Sequence, residues 1–203
     1  MSTVSVISER CLSVSASGRL PIPVDPERLG IVVGRGGFNK RKVEETFNVK
    51  LHVDSEKGLV FVEPGEGASM YNVFRARKAV EALALGFPLE DVLLLADDLY
   101  DFEIIDLSEV ARNQSDLSRI KSRIIGAEGK FKKTLEEVVG VKVVVGDKVV
   151  GLIGDFEQLR LAKEAISRLV RGQSHQTVIK FLERERYGLK RRRVDLWEKW
   201  SQV

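Results

Sequence analysis

The chain has 203 residues, room for one or two domains, and 43% of them are hydrophobic, enough for packed cores. Its 33 basic and 30 acidic residues leave a net charge of only +3, so a partner has to be inferred from where the charges lie rather than from their sum. The single cysteine, Cys11, excludes a disulfide framework, no Cys/His cluster is available for a zinc site, and no apolar run approaches a signal core or a membrane span. The chain reads as a soluble, cytoplasmic protein without metal or cofactor.

In chain order, residues 1–15 are Ser-rich and without a period, and are expected to form a flexible tail. Residues 19–24 alternate as a short strand whose prolines place it at a sheet edge. Asp25-Pro26 marks a helix start, with the acid as cap and proline in the first turn, and the helix runs to about Val33. A glycine turn follows, then a helix over 37–47 with Val43 and Phe47 on its inner face. Val49, Leu51 and Val53 alternate with Lys50, His52 and Asp54 as a half-buried strand, and residues 59–62 return as its partner. A long helix over 69–85 stops at Gly86. Residues 87–97 read as a short linker helix.

From about Tyr100 the order recurs. A strand is expected over 102–107, a polar loop over 108–115, a helix over 116–125, a second glycine turn, and a helix over 130–139 stopped by Gly140. Residues 141–145 and 149–153 form a hairpin around Gly146-Asp147, and Asp155 caps a helix that ends at Gly172. Residues 174–203 are expected to be helical, with a possible break at Gly188 and with Trp197 and Trp200 on one face.

The recurrence is literal at its centre. Val32-Val33-Gly34-Arg35-Gly36-Gly37 and Ile124-Ile125-Gly126-Ala127-Glu128-Gly129 lie 92 positions apart, each followed by a basic segment, an apolar residue and two glutamates. The closing helices match at an offset of 86, so the first copy carries six extra residues in its hairpin or the following loop. A Gly-x-x-Gly turn between helices lets backbone approach a ligand without Cβ interference, and the next helix offers unpaired amides and the positive end of its dipole. Cations beside it add salt-sensitive attraction for phosphate. Neither copy fits a P-loop or a dinucleotide fingerprint.

This loop resembles that of the KH domain, which clamps the backbone of single-stranded nucleic acid. The element order strand, helix, helix, strand, strand, helix resembles the type I (eukaryotic-type) form. The expected fold is α+β: two tandem type I KH domains, each a three-stranded antiparallel sheet packed by three helices. Domain 1 is expected over 16–86, the linker helix over 87–99, domain 2 over 100–172, and a C-terminal helical extension over 173–203.

Three further stretches narrow the resemblance: Gly86-Phe87-Pro88 with Leu95-Ala96-Asp97-Asp98, Arg119 to Gly126 with Ile153-Gly154-Asp155-Phe156-Glu157-Gln158, and His175-Gln176-Thr177-Val178 with Phe181-Leu182-Glu183-Arg184. Together they look like the archaeal branch of the Partner-of-Nob RNA-binding family. The resemblance implies a non-catalytic factor in small ribosomal subunit biogenesis that binds single-stranded RNA near the 3′ end of the small-subunit precursor. It also implies work with the endonuclease that trims that end and with other assembly or translation initiation factors. Members often carry a basic residue inside the second loop, where this chain has Ala127-Glu128.

The expected contacts to RNA follow. Gly34, Gly36, Gly37, Gly126 and Gly129 allow close backbone approach, with Ala127 and Glu128 inside the second loop. Arg35, Lys40, Arg41, Lys130, Lys132 and Lys133 face phosphate, which positions a strand without reading its sequence. Ile31, Val33, Leu51, Val53, Ile125, Val143 and Val145 are candidates for the groove floor, though each suits the core better, and the strand edges at 49–53 and 141–145 offer main-chain groups to bases. His52 reads as an exposed strand histidine without a role, His175 as a cap or packing residue, and Lys190 to Arg193 equally as phosphate contact or solvated face. The alternative is a protein-docking scaffold or translation-associated factor with weak RNA affinity. An enzyme would need metal-binding carboxylates. Asp97, Asp98 and Asp101 cluster, but without a partnering His or Lys motif.

Overall fold

A computed structural model of the chain describes residues 19–200, with side chains to Tyr187. The expected tail over 1–15 lies outside the described residues, as do the side chains of the basic run Lys190 to Arg193 and of Trp197 and Trp200. The chain divides into two compact units, residues 1–102 and 103–203. The fold is α+β, with two three-stranded antiparallel sheets.

In the first unit the elements are β1 (Leu20–Pro23), α1 (Pro26–Val33), α2 (Phe38–Phe47), β2 (Val49–Asp54), β3 (Leu59–Pro64), α3 (Met70–Leu85) and α4 (Leu89–Leu93). The sheet order is β1-β3-β2, so the proline-bearing strand sits at an edge, where a missing N–H is tolerated. Along β2, Val49 and Leu51 are buried while Lys50 and His52 face water. A one-residue slip would exchange these faces, removing about 1.5–3 kcal/mol for Leu51 alone. Asp25 stands at the cap of α1 as expected, but its side chain makes no capping hydrogen bond; its carbonyl accepts from the Arg28 and Leu29 amides instead.

Arg75 is the one buried charged side chain among the described residues, 9% exposed. It donates to Asp98 Oδ1 at 2.6 Å and to the Tyr100 carbonyl at 2.8 Å, and lies 5.3 Å from the centre of the Tyr71 ring. The Tyr71 hydroxyl donates to the same carboxylate at 2.7 Å. These two hydrogen bonds, that of Tyr71 foremost, hold the Asp98 carboxyl below its ordinary range, and the same contact raises the Tyr71 hydroxyl.

The second unit repeats the order. It contains most of β4 (Tyr100–Asp106), then α5 (Gln114–Ile125), α6 (Lys130–Val139), β5 (Lys142–Val145), β6 (Val149–Asp155), α7 (Phe156–Val170) and α8 (His175–Trp200), with sheet order β4-β6-β5. Leu51 pairs with Val62 in the first hairpin and Val143 with Leu152 in the second, so two of the six extra residues lie in the first hairpin and the rest before α3. Helix α5 starts two residues earlier than its sequence suggests. Asn113 is its cap and accepts from the Asp116 amide at 2.8 Å, so part of the expected polar loop is helical. Asp155 caps α7 as expected, paired reciprocally with Gln158. Helix α8 continues through Gly188 without a break. Its buried Val178 and Leu182 belong to the core of this unit.

Candidate nucleic-acid interface

Both glycine turns join the first and second helices of their unit, and their backbones coincide. Gly34 has φ 72 and ψ 174, and Gly126 has φ 75 and ψ 174. Gly36 at φ 56, ψ 24 is matched by Glu128 at φ 53, ψ 29, and Gly37 at φ 76, ψ 18 by Gly129 at φ 74, ψ 10. Two stretches of different composition therefore take one conformation.

The first glycine of each turn is required twice over, by its positive φ and by space. A Cβ on Gly34 would lie 2.7 Å from Asn39 Cγ and 2.9 Å from its amide nitrogen; on Gly126 it would lie 2.7 Å from both Cβ and N of Phe131. At Gly36, Gly37 and Gly129 a Cβ would meet nothing, so these positions need only the dihedral. Glu128 supplies that dihedral from an L residue, at a cost of about 1–2 kcal/mol.

The cations divide into engaged and open ones. Arg41 donates to the Gly36 carbonyl at 3.1 Å and braces the turn from behind. Lys40 faces Glu44 at 3.8 Å and Lys132 faces Glu136 at 3.9 Å. Arg35, Lys130 and Lys133 are exposed and make no ion pair among the described residues. In the second loop Ala127 and Glu128 are exposed beside them.

The groove candidates separate. Leu51 and Val143 are core residues, 1% and 2% exposed, and leave the set. Val33, Val53 and Val145 are half-buried, and Ile31 and Ile125 are exposed. His52 is not idle: its Nε2 lies 3.4 Å from Glu63 on the neighbouring strand.

The roles of Glu44, Glu136 and Asn39, and the hydrogen-bond partner of His175, were not visible in the sequence. Glu44 Oε1 accepts the Leu51 amide at 2.8 Å, and Glu136 Oε1 accepts the Val143 amide at 3.1 Å, so one glutamate in each copy closes part of a free strand edge. The doubled glutamates of the repeat carried that signal. Asn39 Nδ2 donates to the Ile31 carbonyl at 2.8 Å, just behind the first turn. His175 donates from Nε2 to the Arg123 carbonyl at 2.8 Å, behind the second. Nothing within 50 residues of His175 announces that contact. No group of acidic residues, His or Cys placed to hold a metal occurs among the described residues, and no helix there is long and apolar enough to cross a membrane.

Helices flanking a glycine turn over a β1-β3-β2 type sheet define a KH-domain protein. Residues 101–187 match the family model described as eukaryotic-type KH domain (KH domain type I), in its PNO1 second-domain form. A KH domain-containing protein of Methanocaldococcus jannaschii is 38% identical over 184 residues, covering 91% of this chain and 80% of that one. The pre-rRNA-processing protein PNO1 of Candida glabrata is 30% identical over 159 residues, covering 74% of this chain; the chain spans only 59% of that relative's length. A crystal structure of Dim2p in complex with a/eIF2alpha and rRNA, from Pyrococcus horikoshii, is matched with a TM-score of 0.78 and 31% identity, covering 84% of this chain and 94% of that one. The chain belongs to the PNO1/Dim2 family of KH-domain proteins.

Proposed function

We propose that the chain is a non-catalytic single-stranded RNA-binding protein of small ribosomal subunit biogenesis, built from two tandem type I KH domains that each grip RNA at a glycine loop. The observation that carries this reading is the dihedral identity of the two loops, with exposed cations beside both. A turn that needed only to reverse the chain would not have to keep one backbone through different residues. The bound segment is the 3′ region of the small-subunit precursor RNA, where the trimming endonuclease and other assembly or translation initiation factors act. In support, the Candida glabrata relative is named for pre-rRNA processing, and the Pyrococcus horikoshii neighbour was crystallised with rRNA and a/eIF2alpha. The first loop contributes more charge, since Arg35 replaces Ala127 and Gly36 replaces Glu128.

A docking role for the first unit has its own observation. Met70, Tyr71 and Phe74 stand exposed along one side of α3, whereas the matching positions of α7 hold Phe156, Glu157 and Arg160. An aromatic cluster of this kind suits a protein partner.

Filter binding of a single-stranded small-subunit 3′-end RNA across a salt series tests the main reading. Arg35→Glu and Lys133→Glu are the informative reversals, because neither side chain is engaged in an ion pair. Each is expected to weaken binding about tenfold and to reduce the salt slope by about 0.7 for each phosphate no longer neutralised. Unchanged affinity in Arg35→Glu refutes the role of the first loop; unchanged affinity in both refutes the reading.

A further inference from the structure

We propose that His175, the first residue of α8, is a positioning residue for the second glycine loop, so that this loop depends on the C-terminal helix while the first loop is self-contained. This inference deepens the RNA-binding reading and rests on it for its functional consequence.

In both units the chain leaves a helix at a glycine with ψ 174. That swing carries the following amide out of the helical ladder. The carbonyl it would have served, four residues back, is left without its helical donor. That carbonyl belongs to Ile31 in the first unit and to Arg123, 92 positions on, in the second. Both sit directly behind the loop.

The first unit supplies the missing donor locally. Asn39, in the opening turn of α2, reaches back to the Ile31 carbonyl at 2.8 Å and so ties the two helices that flank the turn. The residue 92 positions on is Phe131, which has no donor to offer and is buried at 3% exposure. Its ring instead lies 5.0 Å from the ring of His175, tilted by 55°. His175 Nε2 then donates to the Arg123 carbonyl at 2.8 Å across a separation of 52 residues. A carbonyl only accepts, so Nε2 carries the proton. The Arg123 guanidinium donates in turn to the carbonyl of Gln173, which ties the entry to α8 a second time. One imidazole thus does what Asn39 does, holding the end of α5 and the start of α6 through Arg123 and Phe131. The buried Val178 and Leu182 fix α8 in place behind it.

The test uses the full chain and two variants. His175→Phe keeps a ring against Phe131 and removes the donor; His175→Gln restores an amide donor without the ring. Amide hydrogen exchange read by NMR compares residues 126–131 with residues 34–39, and RNA affinity is read in the Arg35→Glu background so that the second loop dominates. His175→Phe is expected to speed exchange in the second loop about fivefold and to weaken RNA binding by a similar factor, the size of one hydrogen bond. His175→Gln should stay near the parent, and exchange in the first loop should not change in either. Unaltered exchange over 126–131 in His175→Phe, or equal behaviour of the Phe and Gln variants, overturns the brace. Faster exchange with undiminished RNA affinity keeps the brace and overturns the RNA reading of this loop.

Discussion

Glu128 is the residue whose replacement discriminates best between geometry and charge. It holds φ 53 and ψ 29 where the first loop has Gly36 at φ 56 and ψ 24. The left-handed conformation costs an L residue about 1–2 kcal/mol, and glycine loses about 0.5–1 kcal/mol of that gain through the freer unfolded chain. Glu128→Gly should therefore stabilise the second unit by about 0.5–1 kcal/mol, or about 2–8 °C in Tm for a unit of this size. On the proposed RNA-binding reading the carboxylate also opposes RNA. At roughly 7 Å from a phosphate in a water-like medium the repulsion is about 0.6 kcal/mol, close to a threefold loss of affinity. Glu128→Gln removes the charge and keeps the strained backbone. Both variants should bind RNA about threefold more tightly at low salt, with the difference shrinking as salt rises, but only the glycine variant should melt higher. Calorimetry and filter binding on the same preparations separate the two effects. Equal melting temperatures for the two variants would refute the strain argument, and unchanged affinity in both would show that the second loop does not face phosphate.

Two further outcomes follow from the same geometry. Gly34→Ala places a Cβ within 2.9 Å of the Asn39 amide nitrogen at a positive φ, so it should destabilise the first unit by about 2 kcal/mol; Gly37→Ala, with open space, should lose only about 1 kcal/mol, and urea unfolding of the two variants measures the difference. Asp98 is held below its ordinary carboxyl range by Tyr71 and Arg75, so its contribution is present above the unfolded value of 3.8 and is lost as pH falls through the lower folded value. Thermal melts below pH 4 should therefore fall less steeply for Asp98→Asn than for the parent, and parallel curves would sink that assignment.

The sequence made legible whatever the backbone demands of a residue type. A positive φ without space for a Cβ demands glycine, so Gly34 and Gly126 stand out at one spacing. A strand with one buried face must alternate, so β2 could be read from Val49 to Asp54. The same logic fails where several residue types serve. Asn-Gln-Ser reads as loop because these side chains bond to nearby backbone in turns, yet the same chemistry makes Asn113 a helix cap. Gly188 reads as a stop, but α8 continues through it, because a glycine weakens a helix interior by only about 1 kcal/mol. His175 could be read as a cap or packing residue, and it packs on Phe131, but its hydrogen-bond partner was illegible because that partner lies 52 residues away and is a carbonyl, which any residue supplies.

The two halves share one constraint at the edge of the sheet. Glu44 and Glu136 each take the amide of a strand residue, Leu51 or Val143, and each faces a lysine of its own helix, Lys40 or Lys132. Strand groups alternate with a period of two, so the next amides on the same edge belong to Val53 and Val145, whose side chains are half-buried. On the proposed RNA-binding reading, a base approaching from the glycine loop would be refused at the Leu51 and Val143 amides and would have to use those of Val53 or Val145. The loop can vary in charge and the carbonyl behind it can be held by Asn39 or by His175, but this edge is closed identically in both copies. On that reading the glutamates would set the register of a bound strand and the loop cations the strength of its grip.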